Sequence, residues 1–128
     1  MKLLLDTHAF IWWVGEPEKL SSDVLALLAD EDNELRLSVV SVWEIQIKSQ
    51  LGKLKLNLPL GELVESQRRE NGLQVLPIEL DHVLALNALP PLHKDPFDRL
   101  LIAQGQIEDA DIVSKDRVFA SYAVRVLW

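Results

Sequence analysis

Apolar positions change their period several times along the chain, and each change marks the edge of an element. Residues 2–5 are a short apolar run that stops at Asp6-Thr7, and residues 9–14 then carry helix-compatible apolar side chains including Trp12 and Trp13. A strand followed by a helix is the reading. Beyond Pro17, Ser21 or Ser22 caps a helix with the apolar face Val24, Leu25, Leu27 and Leu28, ending near Asp32 and Asn33. Residues 35–40 are the next strand. Ser41-Val42-Trp43-Glu44 has the Ser-x-x-Glu spacing of a capping box, which predicts a helix opening at Ser41 and stopping at Gly52.

The same alternation continues. Residues 60–70 form an amphipathic helix closed by Asn71-Gly72, residues 73–78 a strand, and residues 79–89 a helix broken by Pro90-Pro91. Asp95-Pro96 supplies a cap and a first-turn proline for a helix whose periodicity is Phe97, Leu100, Leu101, Gln104 and Ile107. A strand at 111–114, a short helix at 117–122 and a last strand at 124–127 complete the chain. Short strands alternating with helices predict an α/β fold, a three-layer α/β/α sandwich with a mostly parallel central sheet, built as a single domain over residues 1–128. In such sheets the ligand site lies beyond the carboxyl ends of the strands.

Composition narrows the chemistry. The 128 residues are 48% apolar, enough for one core, and the absence of cysteine removes disulfides and thiolate ligands. The chain suits a reducing compartment, with the cytoplasm as the default, and Asp6 and His8 interrupt the apolar opening that would otherwise resemble a signal peptide. No apolar run approaches a membrane span. A net charge of −7 argues against a nucleic-acid partner unless the acids are concentrated at one place. Lys48, Lys53, Lys55, Arg68, Arg69, Lys94, Arg99, Lys115 and Arg117 remain to meet phosphates.

The acids do have such a place. Asp6, Glu44 and Asp116 each follow a predicted strand, and Asp98 opens a helix, so the topology directs all four toward one sheet edge. Taken singly, each also reads as a helix-capping or first-turn acid. As a group they make a hard oxygen donor set suited to Mg2+ or Mn2+. Two carboxylates about 5 Å apart repel by roughly 3 kcal/mol at an effective dielectric near 20, so a shared pocket calls for a cation. His8, His82 and His93 have no second histidine at ligand spacing and read as structural or surface residues. Trp12, Trp13 and Trp43 read as core with a partner groove, and Asp109-Ala110-Asp111, which precedes its strand, as a turn. Lys48 reads either as an ion-pair partner four residues after Glu44 or as a phosphate contact.

Four segments carry a family resemblance: Leu3-Leu4-Leu5-Asp6-Thr7-His8, Ser41-Val42-Trp43-Glu44-Ile45, residues 93–104 (His-Lys-Asp-Pro-Phe-Asp-Arg-Leu-Leu-Ile-Ala-Gln) and Val113-Ser114-Lys115-Asp116. In this order and spacing the chain resembles a PIN-domain protein of the VapC toxin type. The resemblance implies a Mg2+- or Mn2+-dependent endoribonuclease that cuts structured cellular RNA, such as tRNA or rRNA, to leave a 5′-phosphate. It also implies a cognate antitoxin partner and a homodimer. Asp6, Glu44, Asp98 and Asp116 take the family's acidic positions, with Thr7, Ser114, Lys48 and Arg99 as auxiliary candidates. The last motif departs from the family's usual threonine, having Ser114 two residues before Asp116, which leaves Asp116 either holding metal through water or orienting substrate. Asp95 is the runner-up to Asp98, assigned instead to the cap.

Other functions fit less well. A haloacid-dehalogenase phosphatase needs a second Asp where His8 stands, and a response-regulator receiver needs paired early acids and a late Lys in an order this chain lacks. A non-catalytic module whose acids only cap helices stays open, and it is separated from the nuclease by whether the acids do anything besides capping.

Overall fold

The computed structural model describes residues 1–128. Its sheet has five strands, all parallel: β1 (Lys2–Leu5), β2 (Glu34–Ser38), β3 (Gln74–Leu76), β4 (Asp111–Val113) and β5 (Val126–Leu127), in the order β3-β2-β1-β4-β5. β1 lies in the middle, and Leu3, Leu4 and Leu5 have no exposed surface. A strand covered on both faces is apolar at every position rather than at alternate ones.

The period of two survives in how the side chains divide. Leu3 and Leu5 of β1 join Leu35 and Leu37 of β2 in one core, with Ala9 and Phe10 of α1 (Thr7–Gly15) and Val24 and Leu28 of α2 (Ser22–Ala29). Leu4 points the other way. It packs with Ile112, Phe119 and Tyr122 and with Leu101 and Ile102 of α6 (Pro96–Glu108). Two cores on opposite faces of one sheet make the three layers that the alternation of elements predicts. α3 (Val39–Gln50), α4 (Leu60–Asn71) and α5 (Leu80–Ala85) complete the helices.

Several boundaries differ from the sequence reading. The capping box at Ser41 does not form: α3 is capped by Ser38, whose Oγ accepts from Val40 N at 3.0 Å, and Ser41 sits inside the helix with its buried hydroxyl unpartnered. Val39 and Val40 read as strand because they are β-branched, yet β2 is already in register with β1 through Leu35 and Leu37, and the chain turns at Ser38. The helix expected at 79–89 divides into α5 and a 3-10 turn at Leu86–Ala88, and the one expected at 117–122 is a 3-10 turn at Arg117–Ser121. α2 stops at Ala29, where the Asn33 side chain donates to Leu27 O at 2.9 Å and occupies a carbonyl of the last turn. The cap at Asp95 and the stop at Gly72, which adopts φ 67°, stand as read.

Candidate active site

β1 ends at Leu5, and Asp6 is the N-cap of α1: its Oδ1 accepts from Ala9 N at 2.8 Å. Capping uses one oxygen only. The other, Oδ2, accepts from the Ser114 hydroxyl at 2.6 Å. Ser114 reaches it because β4 lies beside β1 and ends in register with it, Leu5 opposite Val113. Ser114 Oγ in turn accepts from Asp116 N at 3.0 Å, and Asp116 Oδ1 caps the next turn at Val118 N, 3.0 Å away. Asp6, His8, Trp12, Lys115 and Asp116 line a cleft of about 260 Å³ at this edge. Burial pushes the Asp6 pKa up, the bonds from Ser114 and Ala9 oppose it, and the charge of Asp116 adds to the rise.

Glu44 enters from the second turn of α3. It is 8% exposed, Oε1 accepts from the Thr7 hydroxyl at 2.6 Å, and Oε2 meets Lys48 Nζ at 3.0 Å. Thr7 follows Asp6 directly, so β1 and its helix anchor two acids side by side. Lys48 has the ion-pair role of its two sequence readings, on the same helix one turn further along.

Asp98 stands on the first turn of α6, and its Oδ2 lies 2.9 Å from His93 Nε2. Burial raises its pKa to about 6, the His93 bond opposes the rise, and the charges of Asp95 and Glu44 reinforce it. Neighbouring side chains bring the two helices together here, Trp43 packing edge-on against Phe97 with ring centres 5.2 Å apart. Asp95 is the cap that the sequence assigns it to be, since one oxygen accepts from Phe97 N and Asp98 N at 2.9 and 3.1 Å.

Asp6, Glu44, Asp98 and Asp116 all lie at the carboxyl edge of the sheet, where charge couples Asp6 to Asp116 and Glu44 to Asp98 and Thr7 joins Glu44 to the start of α1, but no three of the four bring ligand atoms within 4.8 Å of one another. Asp111 begins β4 at the opposite edge and faces Arg125 at 3.7 Å, and Asp109 is the left-handed C-cap of α6, in keeping with a turn. Arg99 is otherwise engaged: its guanidinium donates to the carbonyls of Leu89, Pro90 and His93 at 2.9–3.3 Å and so straps the loop ahead of α6. His93, read from the sequence as a structural or surface residue, instead stands against a candidate site acid. Candidate ligand atoms of His93, Asp95 and Asp98 lie within 4.8 Å of one another, and the signal available was a histidine two residues ahead of an Asp-Pro cap. Carboxylates whose ionisation is resisted first by burial and then by neighbouring negative charge fit a divalent cation, which compensates both.

Comparison with known proteins agrees with this architecture. The chain is 28% identical over 121 residues to Ribonuclease VapC22 of Mycobacterium tuberculosis, covering 94% of this chain and 91% of that protein. Its fold is similar to that in VapBC2 from Rickettsia felis bound to a promoter DNA fragment, with a TM-score of 0.76 at 16% identity over 99% of this chain and 98% of that one. It is also similar to FitAcB from Neisseria gonorrhoeae, with a TM-score of 0.63 at 19% identity over 98% and 96% of the two chains. The family model for the PIN domain matches residues 3–125, and the chain belongs to that family.

Proposed function

We propose that this protein is a divalent-cation-dependent endoribonuclease, the toxin of a toxin–antitoxin pair. The observation that carries the reading is that Glu44 and Asp98 accept no backbone N–H: their bonds go to Thr7, Lys48 and His93. Acids kept only to cap helices would look like Asp95, which is occupied by two amides. The likeness to a protein named a ribonuclease supports the same activity.

In this reading Asp6, Glu44 and Asp98 hold Mg2+ or Mn2+, and Asp116 adds charge from beside Asp6. A cation held there supplies Lewis acidity toward water and the phosphodiester. Thr7 and Lys48 occupy one oxygen of Glu44 each and hold the side chain in a single orientation. Ser114 does the same for Asp6. His93 holds a proton against Asp98 Oδ2, so that the carboxylate is oriented before any ligand arrives. Lys115 lines the cleft and offers a charge to an RNA phosphate. An antitoxin partner belongs to the same proposal, supported by similar folds in VapBC2 and in a toxin-antitoxin complex from Klebsiella pneumoniae, and a homodimer is proposed with it from the family resemblance alone. So does a cytoplasmic location; no helix is long and apolar enough to cross a membrane.

The test is isosteric. Asp6→Asn, Glu44→Gln and Asp98→Asn should each abolish Mn2+-dependent cleavage of cellular RNA while circular dichroism stays unchanged. Undiminished cleavage by all three overturns the site. Sequencing RNA ends after induction, with Asp98→Asn as control, identifies the substrate.

A further inference from the structure

β2 turns Arg36 and Ser38 toward α5 and α6, and α6 answers both. The Ser38 hydroxyl donates to Gln104 Oε1 at 2.5 Å, and an Arg36 N–H donates to Glu108 Oε1 at 3.3 Å. The spacings agree because two residues of strand advance about 6.6 Å and four residues of helix about 6 Å. Pairing residue 38 with 104 and 36 with 108 also runs α6 antiparallel to β2. Fully buried His82 joins the two rungs. Its Nδ1 accepts from Glu79 N at 3.0 Å, which leaves Nε2 to donate to Glu108 Oε2 at 3.1 Å.

Gln104 has no exposed surface, and besides Ser38 its Nε2 donates to Pro77 O at 3.2 Å and lies 3.3 Å from His82 Nδ1. One side chain therefore ties α6 to the end of β2, the exit of β3 and the start of α5. Ser38 is also the cap of α3, so its bond to Gln104 couples the start of α3 to the third turn of α6. Glu44 lies six residues after Ser38 and Asp98 six residues before Gln104. The other links between α3 and α6 are apolar: Trp43, 56% exposed, on Phe97, and Val40 in the core with Leu101 and Ile102.

We infer that Gln104 is a positioning residue of the site: through Ser38 it sets how far along its axis α6 presents Asp98 opposite Glu44. The inference rests on the reading of those two acids as cation ligands. A buried apolar contact leaves such a displacement weakly defined, whereas a two-ended amide fixes it, because any slip strands a buried donor and acceptor.

The test is Gln104→Met, which keeps length and removes both polar atoms, with Ser38→Ala breaking the same bond from its other end. Ser38→Thr is the conservative control, retaining the hydroxyl. On the folded full chain, calorimetric titration with Mn2+ should show affinity weakened by roughly 10- to 100-fold in the first two variants and near wild type in the third. The chain has no cysteine, so spin labels placed by Ser49→Cys and Gln106→Cys report the α3–α6 distance directly; it should shift or broaden in Gln104→Met. A lowered Tm with unchanged Mn2+ affinity and unchanged distance overturns the inference, leaving Gln104 a stabilising residue only. Should the wild-type chain bind no Mn2+, the ligand reading falls, and the label distances decide separately whether Gln104 sets the helix position.

Discussion

Ser114 Oγ donates to Asp6 Oδ2 at 2.6 Å, joining residues 108 apart in the chain. The bond carries two consequences at once. It opposes the rise in Asp6 pKa that burial causes, and through its lone pair Ser114 also holds Asp116 N. Ser114→Ala should therefore push Asp6 further toward its neutral form and weaken Mn2+ binding, while Ser114→Thr, which keeps the hydroxyl, should not. Calorimetric Mn2+ titration of the two variants checks this, and equal affinities in both would count against a role for the hydroxyl.

The raised Asp98 pKa predicts opposite pH trends for stability and for metal binding. The unfolded chain ionises Asp98 near 3.8 and the folded chain near 6, so between those values the folded state binds more protons. Stability of the metal-free protein should fall as pH rises through that window and level off above it; Asp6 adds in the same direction. Cation binding requires the ionised carboxylate and should strengthen over the same range. Thermal melts at about pH 5 and about pH 7, with and without Mn2+, should show the higher metal-free Tm at the acid value and the larger Mn2+-induced rise at the neutral one.

The location of the α3 cap is open to direct measurement. Ser38→Ala removes a working N-cap and should cost about 1 kcal/mol, with more added for the stranded Gln104 oxygen. Ser41→Ala removes a buried hydroxyl that has no partner and should be neutral or stabilising by up to about 1 kcal/mol. Urea unfolding midpoints for the pair would reverse in order if the capping box at Ser41 were real.

Arg99 stands among the sequence's candidates for meeting phosphate, but its guanidinium is bound to the loop ahead of α6. Arg99→Gln should lower Tm and raise protease sensitivity around residues 89–93. Lys115→Gln, on the cleft wall, should instead raise the KM for RNA with Tm unchanged. An Arg99→Gln variant with native Tm and a raised KM would return Arg99 to the substrate.

Local physics made much of this legible beforehand. Apolar β1, the Asp95-Pro96 cap and the Gly72 stop follow from short-range rules of burial, first-turn geometry and left-handed φ, and the alternation of elements dictates a parallel sheet with its acids at the carboxyl edge. The four motifs, through the family they resemble, directed attention to Asp6, Glu44, Asp98 and Asp116 at that edge. What the chain alone left undecided was every choice between equivalent local options. Ser38 and Ser41 are both acceptable caps until the register of β2 against β1 places the turn; His93 is an ordinary loop residue until the strap from Arg99 holds its loop against α6; Gln104 is one more position on a helix until β2, β3 and α5 converge on its amide. Each of those outcomes depends on partners distant in sequence, where direction, burial and hydrogen-bond satisfaction are set together by the packed sheet.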